Sequence, residues 1–402
     1  MKFDIIAVLL IKVFSALAGV LILALITSSL AIGDVGRYFY LLSLILIVVA
    51  LSSIGLNNVV LRKVSSQPHD AGSIIHTSSL IIIIAAIFIL PLSMLFFRNE
   101  GYENTIFILL AIISQVFIAI VSHGLQGLGK PKQAIFFGGL LNQLILLIVL
   151  YLNKNFSLNL LVEFYAICQF ITLILILGIW YKNIGISNST IKSLNSFLIP
   201  ASSLIAFQIF SEMNIAIGQL LMGSKGYTED LAIYAICLKL VMLISYISFA
   251  VNRVISPDFA KAFSTNDIAK LENLIIKARN FSLALSIPLV LLIVILADKI
   301  LYFFGSDYSQ YAWYLSLAVV VQIFTILNST LAYFMIMCGY EKQYTKQIIY
   351  AFITVFSAGF FLIDLNPLII SLIAYLFIQL WPLLFAVRFI NKNLRIDYWA
   401  IK

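Results

Sequence analysis

Seven residues from Gly124 to Lys130, GLQGLGK, have the spacing of a phosphate-binding loop. In such a loop, backbone N–H groups and the lysine hold phosphate. The eighth position here is Pro131, where the loop needs a Ser or Thr for Mg²⁺. An apolar run precedes the glycines, where a strand is required. We therefore interpret the glycines as a helix end and a turn, and predict no nucleotide site.

The histidines and cysteines show no spacing typical of a metal site, a redox pair or a catalytic triad. They are His69, His76, His123, Cys168, Cys237 and Cys338. All three cysteines lie in apolar segments, which favours small buried side chains. The sequence predicts no metal, no cofactor and no catalytic residues, and therefore a protein that is not an enzyme.

Three ionisable residues interrupt apolar runs: Lys12, Glu212 and Lys239. Each costs about 2.5 to 3.5 kcal/mol at the centre of a bilayer and is retained mainly where it faces a cavity or a partner. Lys12 lies about 10 Å along its run, so it either faces a cavity or snorkels to the surface. Glu212 and Lys239 lie at similar heights on consecutive antiparallel runs. They are either a gating pair that responds to protons or a structural salt bridge.

The elements that position these residues are membrane helices. The 402-residue chain is 62% hydrophobic and 10% charged, with a mean hydropathy of +1.09, whereas soluble domains carry about a quarter charged residues. The apolar runs are long enough to cross about 30 Å of hydrocarbon as helices. The sequence predicts an all-α integral membrane protein with twelve transmembrane helices. The predicted spans are 5–31, 37–61, 74–97, 104–126, 133–152, 159–181, 197–222, 231–255, 281–304, 311–336, 347–364 and 367–390.

Two short sequence matches recur six spans apart. Asp34 and Tyr38 at the start of span 2 correspond to Asp230 and Tyr234 at the start of span 8. The pattern Gly-x-x-Lys-Gln follows span 4 and again follows span 10. An even offset predicts two six-helix lobes of equal orientation, related by a pseudo-twofold axis along the membrane normal. The predicted lobes are residues 1–185 and 186–402.

The basic residues are distributed unequally between the two sides of the predicted helices. With a cytoplasmic N-terminus, nineteen lie inside and five outside, which with Lys239 accounts for all 25. The five are Arg37, Arg98, Lys154, Lys225 and Lys299. This asymmetry predicts that both termini are cytoplasmic. The net charge of +8 is scattered between apolar runs, which excludes a nucleic-acid surface.

One connection, about 256–280, is longer than the others. Asn266 or Thr265 could cap a helix there whose apolar residues share one face. We predict a cytoplasmic interfacial helix, with a solvated charged connector as the alternative.

Amide side chains also occur in or at the ends of the spans. They are Asn57, Asn58, Asn142, Gln143, Gln208, Asn214, Gln219, Asn252, Gln322, Asn328 and Gln379. Any one of them often only joins helices. As a group they favour a polar interior, and with Lys12 and Lys239 they suit a sugar-bearing anionic substrate.

Several segments resemble the polysaccharide repeat-unit flippases (Wzx type) of the multidrug/oligosaccharidyl-lipid/polysaccharide exporter superfamily. The resemblance is carried by residues 31–66, with a Gly-x-Tyr segment and a Gly-Leu-x-Asn helix end, and by LAIYAICLKLV, ISPDFAKAF and FFGSDY in the second half. Many relatives have Asp followed by Lys or Arg in span 7, where this chain has Asn214 and Ile215. The family's charges in span 7 are therefore not carried over.

The resemblance implies a flippase that moves an undecaprenyl-diphosphate-linked oligosaccharide to the outer leaflet of a bacterial plasma membrane. The product would enter O-antigen, lipopolysaccharide or capsule synthesis, with a polysaccharide polymerase and chain-length proteins as candidate partners. Energy would come from an H⁺ or Na⁺ gradient or from downstream consumption of the product. Lys12 and Lys239 are the candidates for the diphosphate. The alternatives are a drug antiporter of the same superfamily and a membrane glycan polymerase.

Overall fold

The computed structural model of the chain describes residues 2–97, 101–184 and 193–400. The described residues are helical and contain no strand. In chain order the helices are α1 (Lys2–Ser29), α2 (Ile32–Ser52), α3 (Leu56–Ser66), α4 (Ala71–Ser93), α5 (Tyr102–Gly127), α6 (Pro131–Ile135), α7 (Leu141–Leu152), α8 (Leu158–Ile184), α9 (Asn195–Ile215), α10 (Ile217–Lys225), α11 (Thr228–Ser264), α12 (Ile268–Tyr302), α13 (Ser306–Ser309), α14 (Ala312–Met337), α15 (Glu341–Leu362) and α16 (Pro367–Leu394). A π-helical turn, Phe136–Leu140, joins α6 to α7.

Eleven helices in the described part of the chain are long and apolar enough to cross a membrane. A twelfth span consists of Ile205–Ile215 and Ile217–Lys225, which meet at an angle of 64°. The prediction of a helical, multi-pass membrane fold with twelve spans is confirmed when this bent pair is counted as one span. Helices are the form expected here, because they satisfy every backbone hydrogen bond within the segment.

The second span ends earlier than predicted. Helix α2 stops at Ser52, and Ile54 and Gly55 have left-handed φ angles of 45° and 67°. The chain then forms α3, which buries Leu56, Val59, Val60 and Val64 and packs against α5. This spacing places the apolar residues on one face, opposite Arg62. The predicted span 37–61 is therefore wrong at its C-terminal end, because an amphipathic helix follows the turn.

A helical hairpin replaces the predicted interfacial helix. Helix α11 continues to Ser264, and α12 begins at Ile268. The cap is Asp267, whose carboxylate accepts from the Lys270 N–H at 3.0 Å, so the predicted caps Asn266 and Thr265 are wrong. Apolar residues of both arms are fully buried, among them Phe259, Ala262, Leu271 and Ile275. Because the arms cover each other's apolar faces, neither the interfacial helix nor the solvated connector forms.

The chain divides into two compact units, Met1–Glu212 and Met213–Lys402. In the first unit, α5 packs against α2, α3, α4 and α8. In the second unit, α14 packs against α11, α12 and α16. The predicted lobe boundary at 185/186 lies outside the described residues and stays a prediction.

Candidate transport site

Lys239 is an exposed cation near the middle of a membrane helix. It lies on α11, about 17 Å from Thr228 along the helix axis. The residues from 231 to 238 and at 240 and 241 are all buried within the protein, while Lys239 is exposed. Its ammonium makes no hydrogen bond or ion pair within the described part of its unit. Because a lysine in hydrocarbon at this depth is costly, we expect its exposed face to meet water.

Glu212 lies one turn before the break in the seventh span. Helix α9 ends at Ile215, and α10 leaves at 64° after Ala216. Glu212 is partly buried and makes no hydrogen bond or ion pair within the described part of its unit. The Asn214 side chain is 7% exposed, and its amide oxygen has no hydrogen-bond partner. A carboxylate beside a helix break is typical of transporter sites that bind a cation or a proton.

Lys12 lies on the partly buried face of α1. Ser15, one turn later on this face, donates to the Gln143 amide oxygen of α7 at 2.5 Å. Val13 and Phe14, by contrast, are 54% and 58% exposed. Lys12 itself is half-buried and has an interaction with another group. It therefore faces its own unit and not the lipid, which is the orientation that a cavity-facing lysine requires.

The three candidates are distributed over both units. Lys12 and Glu212 belong to the first unit, and Lys239 belongs to the second. Within the first unit, Lys12 is on α1 and Glu212 is on α9. The pairing of Glu212 with Lys239 stays a prediction.

A chain of hydrogen bonds joins three helices inside the second unit. The Gln322 amide on α14 donates to the Ser245 hydroxyl on α11. The Tyr375 hydroxyl on α16 donates to the Gln322 amide oxygen at 3.3 Å. The Thr325 and Tyr375 hydroxyls are 3.2 Å apart. Gln322 is fully buried, so its amide is used to join helices.

A second group of hydrogen bonds lies about two turns further along α14. The Asn328 amide donates to the Gln379 oxygen on α16 at 3.0 Å, and the Tyr344 hydroxyl on α15 donates to the Asn328 oxygen at 2.9 Å. Asn252 on α11 donates to the Ser329 hydroxyl at 3.2 Å. These amides were candidates for lining a polar cavity. The structure uses them as contacts between helices, whereas Lys239 on α11 is exposed.

Comparisons with known proteins agree with this fold. Residues 164–313 match the sequence model of a family described as polysaccharide biosynthesis protein. No curated protein sequence matches the chain significantly. The inward-facing structure of a multidrug resistance MATE family transporter of the MOP superfamily is 15% identical, with a TM-score of 0.72 over 97% of this chain and 99% of that one. A MATE crystal structure in complex with MaL6 is 14% identical, with a TM-score of 0.69 over 97% and 95%.

The chain has the fold of the MOP-superfamily transporters. The resemblance to the exporter superfamily that the sequence indicated is confirmed. The solved structures that share this fold are transporters. The outward-facing structure of a MATE transporter matches as well, with 14% identity and a TM-score of 0.65 over 97% of this chain and 94% of that one.

A repeated polar pattern in this chain was missed in the sequence. Tyr165 and Gln169 on α8 have the same spacing as Tyr375 and Gln379 on α16. The Gln115 amide on α5 donates to the Tyr165 hydroxyl, and the Tyr375 hydroxyl contacts Thr325 on α14, which lies at the same offset of 210 residues from Gln115. The signal was a Tyr-x-x-x-Gln motif in spans 6 and 12. It supports an internal repeat with an offset of six spans, in addition to the two matches found earlier.

Proposed function

We propose that this transporter flips an undecaprenyl-diphosphate-linked oligosaccharide repeat unit from the cytoplasmic to the outer leaflet of the bacterial plasma membrane, for O-antigen, lipopolysaccharide or capsule synthesis. The proposal is carried by Lys239, an exposed cation in mid-membrane that has no carboxylate partner in its described surroundings. The match of residues 164–313 to a polysaccharide biosynthesis family supports this substrate class.

The chemistry of such a substrate suits these residues. A diphosphate carries concentrated negative charge that must avoid hydrocarbon, and a lysine in a watery cleft neutralises part of it. The polyprenyl tail is apolar and can stay in the lipid while the head group crosses. Lys12 is the second candidate cation, because its face of α1 also holds the polar contact between Ser15 and Gln143.

Glu212 is the candidate for energy coupling. The end of α9 directs carbonyl dipoles toward the break after Ile215, and these dipoles favour a bound cation. The Glu212 carboxylate could bind H⁺ or Na⁺ in one state of the cycle and pair with Lys239 in another. The alternative is that a downstream polymerase and chain-length proteins drive transport by consuming the product.

The decisive test of the proposed function measures flipping in proteoliposomes with a short-chain lipid-diphosphate glycan. Lys239→Gln should reduce the flipping rate at least tenfold, whereas Lys239→Arg should retain most of it. Lys261→Gln is the matched control, because Lys261 is exposed on the same helix beyond the apolar span. Unchanged flipping by folded Lys239→Gln protein would remove Lys239 from the site.

Lys12 is tested by surface glycan display in a strain that depends on this chain. Lys12→Ala should lower display at equal protein level, and Lys12→Arg should partly preserve it. Normal display with Lys12→Ala would show that this lysine only anchors α1.

The coupling role is tested with Glu212→Gln, Lys239→Met and a charge-swapped double variant. If Glu212 couples transport to an ion gradient, folded Glu212→Gln protein should flip substrate without dependence on an imposed H⁺ or Na⁺ gradient. If Glu212 and Lys239 form a structural pair, each single change should lower the amount of folded protein, and the charge swap should restore it. Unaltered gradient dependence in stable Glu212→Gln protein would exclude the coupling role.

Cytoplasmic termini are part of the same proposal, and α12 offers a sharp test. Asn266 and Ser306 lie beyond opposite ends of this 35-residue helix, which is about 52 Å long at 1.5 Å per residue. In a cysteine-free background, a cysteine at 306 should react with a membrane-impermeant reagent in intact cells, and one at 266 should not. The opposite labelling pattern would show that the topology is the inverse of the one proposed.

The second candidate function is drug export, since the fold matches multidrug MATE transporters over 97% of the chain. An exposed lysine in the transport path disfavours cationic drugs through like-charge repulsion. Extrusion of cationic dyes by the purified protein, unaffected by Lys239→Gln, would favour this candidate over the flippase.

A further inference from the structure

A groove runs along the exposed face of α12 in the second unit. Its volume is about 540 Å³. The lining residues are Ile255, Asn273, Ile276, Lys277, Asn280, Phe281 and Ala284. All of them except Ile255 lie on α12, and these six are adjacent or three to four residues apart, so that they form one stripe on the helix. None of the residues Lys12, Glu212 and Lys239 lines it.

The polarity of the groove changes along the helix. Asn273, Lys277 and Asn280 form its polar end, and Phe281 and Ala284 continue it as an apolar end. The seventeen residues from Phe281 to Ala297 carry no charge. They span about 26 Å, close to the hydrocarbon thickness of a bilayer. The polar end therefore lies at the depth of the lipid head groups, and the apolar end lies at the depth of the acyl chains.

The side chain of Asn280 is oriented so that its NH₂ group can donate to a ligand in the groove. The Arg279 guanidinium donates to the Asn280 oxygen from Nε at 2.9 Å and from a terminal nitrogen at 2.7 Å. A guanidinium has only donors, so the amide oxygen must face it and the Asn280 NH₂ group must point elsewhere. The hydrogen bonds of Asn280 with described residues use the side-chain oxygen.

The C-terminal segment fixes Arg279 in this position. Arg279 is 7% exposed and donates to the carbonyl oxygens of Tyr398 and, at 3.0 Å, of Ala400. Burial raises the pKa of Tyr398, so its hydroxyl stays protonated and donates to the Leu327 carbonyl at 3.1 Å. Arg279 makes no ion pair with a described carboxylate, so its charge adds to the positive potential at the polar end.

The residues that line the groove carry a net positive charge, because Lys277 is among them and no acidic residue is. No acidic residue lines it, and Lys277 is exposed and makes no ion pair within the described part of the chain. An ammonium beside amide donors at head-group depth recognises a phosphate, and the adjoining apolar end accommodates an acyl chain.

We propose that this groove binds an anionic phospholipid of the adjacent leaflet, with its phosphate on Lys277 and the Asn280 NH₂ group and one acyl chain along Phe281 and Ala284. Asn273 lies one turn from Lys277 and provides a second amide for the head group. A lipid bound here stabilises the N-terminal part of α12, which forms the hairpin with α11. The site does not depend on which substrate the transporter moves.

The test uses the full-length transporter in detergent micelles, with phosphatidylglycerol, phosphatidylcholine or inorganic phosphate added. Lipid retention by native mass spectrometry and thermal melting are both measured. We expect Lys277→Gln to weaken phosphatidylglycerol binding about tenfold, through loss of one charge-assisted contact. Asn280→Ala should weaken it by a smaller factor. Lys270→Gln is the matched control, because Lys270 is exposed on the same helix outside the groove.

Retention of phosphatidylglycerol over phosphatidylcholine, lost with Lys277→Gln and kept with Lys277→Arg and Lys270→Gln, would support the site. If Lys277→Gln does not fold, the comparison of Asn280→Ala with Lys270→Gln carries the test. Equal binding by all variants would overturn the proposal, as would an equal melting shift with inorganic phosphate alone. Displacement of phosphatidylglycerol by an equimolar short-chain polyprenyl diphosphate would assign the groove to the substrate. None of these outcomes changes the flipping defect that is expected for Lys239→Gln, so failure of the lipid site and failure of the proposed function can be distinguished.

Discussion

The two units place the same polar side chains on corresponding helices, yet they bond them to different extents. In the first unit, Gln115 on α5 contacts Tyr165 on α8. In the second unit, the corresponding Thr325 and Tyr375 belong to a chain of hydrogen bonds that also includes Gln322 and joins α11, α14 and α16. Corresponding helices can therefore be joined by one polar contact in one half and by several in the other.

One position accounts for much of this difference. At an offset of 210 residues, which also relates Tyr165 to Tyr375, the first unit has Ile118, which is 5% exposed. The second unit has Asn328, which bonds both Gln379 and Tyr344. Buried amides require partners with defined geometry, so Asn328 fixes the rotation of three helices at once. We expect the second unit to tolerate substitutions inside its bundle less well.

The largest effect is expected at Gly218, where α10 approaches α11 most closely. A Cβ atom there would lie 2.2 Å from Cζ of Tyr234, whose ring is fully buried. Gly218→Ala should therefore destabilise the protein by roughly 3 kcal/mol, as expected for a side chain that overfills a packed interior. The measurement is thermal melting of the purified protein.

The matched control for Gly218→Ala is Gly19→Ala in the first unit. A Cβ atom on Gly19 would meet nothing within 4 Å. This change should be neutral or stabilise α1, because alanine favours a helix. Equal effects of the two changes would contradict the difference in packing.

The next largest effect is expected for Asn328→Val, which gives the second unit a β-branched apolar residue, as Ile118 is in the first. It removes two hydrogen bonds and leaves the buried Gln379 oxygen and Tyr344 hydroxyl without these partners. We expect a loss of about 2 kcal/mol in the free energy of unfolding, measured by denaturant titration in detergent. The reciprocal change, Ile118→Asn, should also destabilise, because it places a polar amide at a buried apolar position. A stabilising Ile118→Asn would refute the role given to this position.

A smaller effect is expected for Gln115→Leu in the first unit. It removes one contact between α5 and α8, the one with Tyr165. Single hydrogen bonds between membrane helices contribute about 0.6 kcal/mol on average. The loss should therefore be less than half of that for Asn328→Val in the same titration. A larger loss than for Asn328→Val would reverse the comparison between the units.

The smallest effect is expected at the ion pair between Lys225 and Asp364 in the second unit. Their nitrogen and oxygen are 3.0 Å apart, and the Asp364 side chain is 54% exposed. The hydrogen bond to Asp364 raises the pKa of Tyr227, so the Tyr227 hydroxyl stays protonated at neutral pH. This hydroxyl donates a second hydrogen bond to the Asp364 carboxylate. Lys225→Met should lower the melting temperature by less than about 2 °C, because exposed ion pairs contribute little. A drop of more than 5 °C would show that the ends of α10 and α15 depend on this contact.

The membrane fold could be predicted from the sequence to a large extent. Each of the twelve predicted spans has an observed counterpart, including the bent seventh span. Crossing hydrocarbon requires about 20 consecutive apolar residues, which is a local property that can be read without knowing any contact. The ends of the spans were less predictable. The turn at Ile54 and Gly55 and the hairpin from α11 to α12 depend on which apolar faces cover each other.

The roles of individual polar residues were decided by the tertiary structure. Gln322 and Lys239 both interrupt apolar runs, and the sequence treats both as candidates for a polar interior. Gln322 is fully buried and bonded to its neighbours, while Lys239 is exposed. The partners of Gln322 lie far away in the sequence, as with the 77 residues between Ser245 and Gln322. Burial and hydrogen bonding depend on the packing of distant helices, so composition and spacing determine where the membrane is crossed, and only packing determines which polar groups remain open to water or a substrate.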